Sequence, residues 1–284
     1  MAETTASTFH ERLQRAVTAR SPLCVGIDPS TSLLAQWELA DDASGARTMG
    51  ARCIESVAQW CAAVKFNIAF FERFGAAGLS ALEALLSDAR DAGLLTIADA
   101  KRGDIESTNA AYAQAWLTDG PLSVDAMTVS PYLGLDALEP YFEAAAADGR
   151  GVFVVVRSSN PEGRSIQKAL LAGPADAAAD VSVEAGLLAE IDGRPAGSVG
   201  AVIGVSAEPE PLALSPARFF LAPGVGAQGA TARDLAALFW HVPMTSVLVN
   251  LSRPILKAGP DQHSLSVAAE RGAGEISAGF CPPT

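Results

Sequence analysis

The chain has 284 residues, of which 49% are apolar and 18% are charged, and its 20 Lys and Arg against 32 Asp and Glu give a net charge of −12. This length and apolar content support a folded core and exclude a disordered chain. The acidic balance provides no basic surface for nucleic acid or for an anionic membrane, so we predict neither as a partner. An anionic ligand would therefore have to bind at a local cluster of basic residues.

Targeting and cysteine patterns indicate a cytoplasmic protein. Residues 1–11 lack the basic and apolar regions of a secretory signal, and no apolar run approaches the roughly 20 residues that span a bilayer. The four cysteines contain no CxxC pair and lie far in sequence from the three histidines. We therefore expect reduced thiols and no zinc site.

Short apolar runs alternate with Ala- and Leu-rich stretches along the whole chain. An N-terminal helix is predicted at about 6–19, before the first run. The eight runs, each a predicted strand, lie at 23–28, 62–67, 94–101, 124–130, 152–158, 201–206, 219–224 and 247–252. Helices are predicted at about 43–61, 75–91, 105–117, 134–147, 165–192 and 229–240, and the fifth of these is an Ala-rich helical insertion.

The eight strand and helix units favour one closed barrel. The apolar runs are nearly continuous, which is typical of parallel strands covered by helices. No long linker divides the chain, so we predict an α/β fold in which residues 1–284 form a single-domain (β/α)8 TIM barrel. A doubly wound open sheet is the alternative, because periodicity does not distinguish a closed sheet from an open one.

Charged side chains are concentrated where the second and third strands end. Asp99 and Lys101 are two positions apart in a strand and should point to the same side, while Asp104 follows a glycine and begins the next helix. Two carboxylates would keep Lys101 protonated, which suits a proton donor. This spacing alone fits a solvated salt-bridge cluster equally well. Lys65, at the end of the preceding strand, extends the pattern to Lys-Asp-Lys-Asp and favours an active site.

A glycine-rich loop follows the seventh predicted strand. Its sequence at 224–229 fits G-x-G-x-x-G, but a dinucleotide site needs that motif in an early βαβ unit with an acidic residue after the next strand. Here the next strand ends at Asn250 without such a residue. The loop and Arg253 instead predict a phosphate site, since (β/α)8 barrels often bind phosphate after strands seven and eight. A tight turn beside a surface arginine is the structural alternative.

Six segments together resemble the orotidine 5'-phosphate decarboxylase family, in particular its longer bacterial type 2 branch. The most specific are D-A-K-R-G-D-I within 98–105 and P-G-V-G-A-Q-G within 222–229. The others lie at 25–29, 64–67, 130–134 and 157–161. The resemblance implies decarboxylation of orotidine 5'-phosphate to UMP and CO2, the last step of de novo pyrimidine nucleotide synthesis, without a metal or an organic cofactor.

The resemblance also assigns catalytic roles. Lys101 would protonate the C6 carbanion, and Asp99 would lie beside the departing carboxylate and hold Lys101 in place. Lys65 would bridge Asp99 and a ribose hydroxyl. Asp104, together with Ile105 and Thr108, would reach into the partner's site of a homodimer with shared active sites.

The remaining implied residues bind the substrate. The ribose side would be formed by Asp28 and Asn67, and the pyrimidine side by Ser159, with Ser158 as the alternative. The phosphate would be bound by Gly226, Gln228 and Arg253. Two other functions stay open at this point: a Mg²⁺-dependent sugar-phosphate decarboxylase or aldolase of a related barrel family, and a non-catalytic nucleotide-binding barrel.

Overall fold

Eight parallel strands close into a barrel in the computed structural model, which describes residues 7–171, 181–207, 209–226 and 229–280. In chain order the strands are β1 Leu23–Ile27, β2 Ala63–Asn67, β3 Leu95–Arg102, β4 Ala126–Val129, β5 Gly151–Arg157, β6 Leu170–Leu171, β7 Val181–Ser182, β8 Val199–Ile203, β9 Phe220–Pro223 and β10 Val247–Leu251. The barrel order is β1-β10-β9-β8-β5-β4-β3-β2, and β6 and β7 form a separate pair. Because β1 pairs with both β2 and β10, the predicted closed barrel is confirmed and the open sheet is wrong.

Helices cover the outside of the barrel and connect its strands. They are α1 Phe9–Ala19, α2 Thr31–Gln36, α3 Ala43–Val57, α4 Ala69–Glu72, α5 Gly75–Asp91, α6 Glu106–Leu117, α7 Glu139–Ala147, α8 Arg164–Gln167, α9 Val183–Asp192, α10 Ala232–Phe239, α11 Arg253–Leu256 and α12 Gln262–Gly279. Several begin at a side-chain cap: Thr8 and Glu11 form a capping box at α1, and Asp42 accepts the Gly45 N–H at α3. None of the helices in the described ranges is long and apolar enough to cross a membrane.

Aromatic side chains close the N-terminal end of the barrel. Phe9 of α1 is fully buried, and its ring centre lies 5.0 Å from that of Phe219 and 5.8 Å from that of Phe153. Leu13 and Val17 extend the same face of α1 into the cluster. The first helix therefore plugs one end of the barrel and leaves the other end, where the strands finish, for polar side chains.

The segment predicted as a helix over 165–192 differs from that prediction. The described part contains the short helix α8, the antiparallel pair β6 and β7, and the helix α9. Gly173 and Pro174 lie between the two strands in the sequence, and both residue types disfavour a helix interior. The alanine content indicated one helix, whereas the described residues on either side of 172–180 form two short strands and two separate helices. Residues 172–180, and residues 1–6 ahead of α1, lie outside the described part of the chain.

Replacing Phe9 with alanine should destabilise the whole barrel. The variant removes the ring that touches both Phe153 and Phe219, so we expect a loss of about 3–5 kcal/mol in the free energy of unfolding, measured by urea titration. Trp240→Ala is the control, because the Trp240 side chain is 80% exposed and its loss should cost less than about 0.5 kcal/mol. Equal stabilities of the two variants would contradict the role of α1 as the plug.

Candidate active site

A buried ion pair joins the ends of β2 and β3. In the strand register Asn67 lies opposite Asp99, which brings the side chain of Lys65 towards the same point. The Lys65 ammonium lies 2.6 Å from Asp99 Oδ2, and the two side chains are only 6% and 11% exposed. A charge pair buried to this degree needs further polar partners to offset its desolvation.

Lys101 provides the second partner of Asp99. Its Nζ lies 2.5 Å from Asp99 Oδ1, so each carboxylate oxygen faces one ammonium group. The Lys101 side chain is 55% exposed, in contrast to that of Lys65, and therefore points into open space above the barrel. The sequence prediction did not include Thr128 among the site residues, yet its hydroxyl also reaches Asp99 Oδ1, at 3.1 Å.

The charge states of the buried pair follow from its surroundings. Burial is the largest influence on Asp99 and favours the neutral acid, but the nearby Lys65 and Lys101 charges and their hydrogen bonds lower its pKa well below the usual value. Burial is also the largest influence on Lys65, where it favours the neutral amine. The Asp99 and Asp28 carboxylates outweigh it and raise the Lys65 pKa. Both groups are therefore ionised at neutral pH.

Asp104 forms its hydrogen bonds at the start of α6 and not with this cluster. Its Oδ1 accepts the Ile105 N–H at 2.8 Å, and its own N–H donates to Asn109 Oδ1 at 2.8 Å. Asn109 is fully buried and also donates to the Asp104 carbonyl. Among the described residues Lys101 is thus paired with Asp99 and not with Asp104, so only one of the two expected carboxylates flanks it.

Ile105 and Thr108 lie on the exposed first turn of α6. The side chain of Ile105 is 55% exposed, although it is large and apolar, and Thr108 is exposed as well. Neither residue lines the cavities at the mouth of the same barrel. Both side chains are therefore exposed at the outer rim of the barrel mouth.

A polar cavity lies beside the charged cluster at the ends of β1, β9 and β10. Its lining includes Asp28, Ser159, Asn250 and Arg253. Among the residues that the structure describes, Asp28 Oδ1 and Asn250 Oδ1 are buried in it without a hydrogen-bond partner. Buried oxygens of this kind are normally satisfied, so they mark a place where donors of a ligand would be bound. Asp28 and Arg253 also line an adjoining cavity.

The adjoining cavity extends towards α2 and α4. It adds Asn67, Ser30, Gln36 and Lys257 to the lining, and thereby brings the predicted residue Asn67 to the same region as Asp28. The two cavities together place carboxylate, amide and guanidinium groups within one continuous area at the barrel mouth.

The glycine loop after β9 adopts conformations that suit glycine. Gly224 has φ +112° and Gly226 has φ +74°. The Gly226 N–H donates to the Ala230 carbonyl at 2.8 Å, so it is already used within the loop. The predicted residue Gln228 lies outside the described residues.

The two serines after β5 face different surroundings. The Ser158 hydroxyl accepts from Gln167 Nε2 at 2.8 Å, and the Ser158 N–H donates to Gln167 Oε1 at 3.3 Å, which ties it to α8. Ser159 instead lines the cavity that contains Asp28 and Arg253. Ser159 therefore fits a ligand contact better than Ser158 does. Gly204 permits this approach, because a Cβ there would lie 2.5 Å from the Ser159 nitrogen.

No group of three or more His, Cys, Asp or Glu side chains in the described ranges could hold a metal ion. The thiols of Cys24, Cys53 and Cys61 are buried, and burial raises the pKa of each.

At the mouth of the barrel the ionised Asp99 carboxylate lies between the ammonium groups of Lys65 and Lys101. The Arg253 guanidinium lines the cavity beside this cluster.

Comparison with known proteins points to one family. The model of the orotidine 5'-phosphate decarboxylase / HUMPS family matches residues 21–266. The orotidine 5'-phosphate decarboxylase of Salinispora arenicola is 48% identical over 265 residues, which are 93% of this chain and 95% of that protein. The Streptomyces coelicolor enzyme of the same name is 46% identical over 271 residues, 94% of this chain and 96% of that protein.

Solved structures agree with these sequence relatives. A Streptomyces avermitilis structure, provisionally described as an orotidine 5'-phosphate decarboxylase, matches with a TM-score of 0.89 and 43% identity, covering 99% of this chain and 98% of that one. The OMP decarboxylase of Leishmania donovani matches with a TM-score of 0.78 and 29% identity, covering 96% and 99% of the two chains.

Replacing Asp99 with asparagine should reveal the cost of an unpaired buried lysine. Asp99→Asn leaves the Lys65 ammonium without its carboxylate, so we expect the free energy of unfolding at pH 7 to fall by about 3–5 kcal/mol. Asp41→Asn, which breaks the more exposed pair of Asp41 with Arg73, should cost much less.

The difference in the free energy of unfolding between wild type and Asp99→Asn should depend on pH. Because folding lowers the pKa of Asp99, the stability that its carboxylate contributes is present above about pH 4. That contribution is lost as the pH falls further towards the lowered pKa. The stability difference between wild type and Asp99→Asn should therefore narrow below pH 4. A difference that is absent at pH 7, or that grows on acidification, would contradict an ionised Asp99.

Proposed function

This chain belongs to the orotidine 5'-phosphate decarboxylase / HUMPS family, and we propose that it converts orotidine 5'-phosphate to UMP and CO2, the last step of de novo pyrimidine nucleotide synthesis. The observation that carries this proposal is the Lys65-Asp99-Lys101 cluster next to a cavity that contains Asp28 and Arg253. The cluster supplies a fixed anion and a proton donor, and the cavity supplies groups for a ribose and a phosphate.

Loss of CO2 from the pyrimidine is difficult because the electron pair left on C6 is not delocalised. Catalysis must then come from preorganised charges and a positioned acid. In the proposed reaction the bond between C6 and the carboxylate carbon breaks, CO2 leaves, and Lys101 Nζ transfers a proton to C6. Asp99 holds Lys101 at that position and lies beside the departing carboxylate.

Binding groups away from C6 would hold the nucleotide in place. We assign the ribose to Asp28 and Asn67, with Lys65 between Asp99 and a ribose hydroxyl. Asp28 Oδ1, which has no hydrogen-bond partner among the described residues, is suited to accept a hydrogen bond from a ribose hydroxyl. Ser159 would contact the pyrimidine. Arg253 would bind the phosphate. The binding energy of that contact would contribute to catalysis by holding C6 in the reacting geometry.

The two alternative functions are not favoured. The relatives that match at 46% and 48% identity over nearly the whole chain are named orotidine 5'-phosphate decarboxylases. A non-catalytic barrel would have no use for a lysine and aspartate pair buried at an energetic cost beside a cavity.

A homodimer with shared active sites is part of the proposal. Asp104 does not contact Lys101 of its own chain, and the rim beside it exposes large apolar side chains: Ile105, Tyr132 and Leu133 are 55%, 80% and 52% exposed. Apolar groups exposed together in this way are typical of an interface. A second copy packed there would bring Asp104, Ile105 and Thr108 to the partner's site.

We also propose a cytoplasmic location. Cys24, Cys53 and Cys61, the cysteines in the described part of the chain, are buried and form no disulfide, which is typical of a reducing compartment.

Purified wild-type protein should consume orotidine 5'-phosphate in the presence of a metal chelator, measured as a fall in substrate absorbance. Lys101→Ala should fold and bind UMP but should not decarboxylate, because the proton donor is missing. Turnover that stops in chelator would contradict the cofactor-independent reaction. Retained turnover in Lys101→Ala would contradict the donor assignment.

Shared sites predict complementation between two inactive variants. A dimer of one Lys101→Ala chain and one Asp104→Ala chain contains one site with both residues intact. Random mixing should therefore restore about a quarter of the wild-type activity. A mixture that stays as inactive as its components, although the subunits exchange, would contradict the contribution of Asp104 to the partner's site.

A further inference from the structure

An irregular stretch of β3 carries the two residues of the proposed reaction centre. Ala98 lies opposite Met127 of β4, and Arg102 lies opposite Val129, so the three residues 99–101 face the single residue Thr128. The bulge gives Lys101 a φ of +46°, a conformation that residues other than glycine rarely adopt. Some contact outside the regular strand ladder must hold the main chain there.

The side chain of Thr128 makes that contact. The Lys101 N–H donates to Thr128 Oγ1 at 3.0 Å instead of to a main-chain carbonyl of the ladder. Thr128 is 1% exposed, so water does not compete for this hydrogen bond. The hydroxyl therefore takes up the N–H group that the bulge releases from strand pairing.

The same hydroxyl reaches the Asp99 carboxylate. Because its oxygen accepts the Lys101 N–H, its own proton is available for Asp99 Oδ1, 3.1 Å away. An ionised carboxylate only accepts hydrogen bonds, so the order from Lys101 N–H through Thr128 to Asp99 is fixed in direction. Asp99 Oδ1 is also the atom that the Lys101 ammonium contacts.

We propose that Thr128 is a positioning residue for the reaction, which sets the Lys101 main chain and the Asp99 carboxylate in one arrangement through a single hydroxyl. The Lys101 side chain is long and half exposed. Its ammonium group therefore has a fixed position only if the Lys101 main chain and the Asp99 carboxylate that it contacts are both held in place. This role rests on the proposed decarboxylase function and deepens it. Thr128 itself does not need to touch the substrate.

The chain contains a matched threonine away from the site. Thr96, at the start of β3, is fully buried, accepts the Asp125 N–H at 3.1 Å and donates to Asp125 Oδ2 at 2.9 Å. Like Thr128, Thr96 thus accepts from one main-chain N–H and donates to one carboxylate, but it does so at the opposite end of the barrel, where Asp125 pairs with Arg12. Thr96→Val therefore reports what such a hydroxyl contributes to folding alone.

The test compares Thr128→Val, Thr128→Ser and Thr96→Val with wild type in steady-state decarboxylation, UMP binding and urea unfolding. Thr128→Val should lower kcat about 10- to 100-fold, because a small misplacement of reacting groups has effects of this size. KM and the Kd for UMP should change by less than about threefold, since the substrate contacts are intact. Thr128→Ser keeps the hydroxyl and should keep most of kcat. Thr96→Val should lose stability with a wild-type kcat.

The outcomes separate this role from the proposed function. If wild type does not decarboxylate, the proposed function and the role of Thr128 are both wrong. If wild type is active and Thr128→Val keeps its kcat, or if Thr128→Ser falls as far as Thr128→Val, only the positioning role is wrong. An equal fall in kcat for Thr96→Val would likewise overturn it. Should Thr128→Val not fold, Thr128→Ala is compared with Thr128→Ser by the same criteria.

Discussion

The ion pair between Lys65 and Asp99 is the interaction on which the candidate site depends. It joins the ends of two neighbouring strands and lies about nine-tenths buried in a protein whose net charge is −12. Such a pair is stable only when its geometry is maintained and further partners are present. Lys101 and Thr128 provide those partners on the other carboxylate oxygen. The small positive region that results is a local exception to the acidic surface, and it suits an anionic nucleotide.

The opposite end of the barrel makes this arrangement possible. Phe9, Phe153 and Phe219 fill the N-terminal end with apolar contacts, while the charged cluster of Lys65, Asp99 and Lys101 lies where β2 and β3 finish. Stability and chemistry are thereby separated along the barrel axis, as is typical of (β/α)8 proteins. The core can then offset the cost of buried charge and of the left-handed main chain at Lys101.

Sequence patterns were sufficient for the barrel, the family and the central charges. The apolar runs predicted strands within a few residues of those observed, and the convergence of parallel strand ends correctly predicted that Lys65 lies near Asp99. Thr128 is polar and lies at a strand end, but the sequence assigned it no role. A threonine in a strand is an ordinary β-forming residue, and the bulge that gives it a role arises from the pairing of two strands. The contacts of the Asp104 main chain with the buried Asn109 side chain, and the pairing of β6 with β7, arise from the folded chain and have no short-range signature in the sequence.

The central claim is that Asp99 is ionised between two ammonium groups before any substrate arrives. Its most direct test is a carbon-13 NMR titration of the aspartate side-chain carboxyls in the free protein, with the Asp99 resonance identified by its loss in Asp99→Asn. The account predicts a carboxylate shift for Asp99 that stays constant from pH 9 down to pH 4, while exposed aspartates begin to titrate near their ordinary pKa of about 4. An Asp99 resonance that titrates at or above pH 4 would contradict the account.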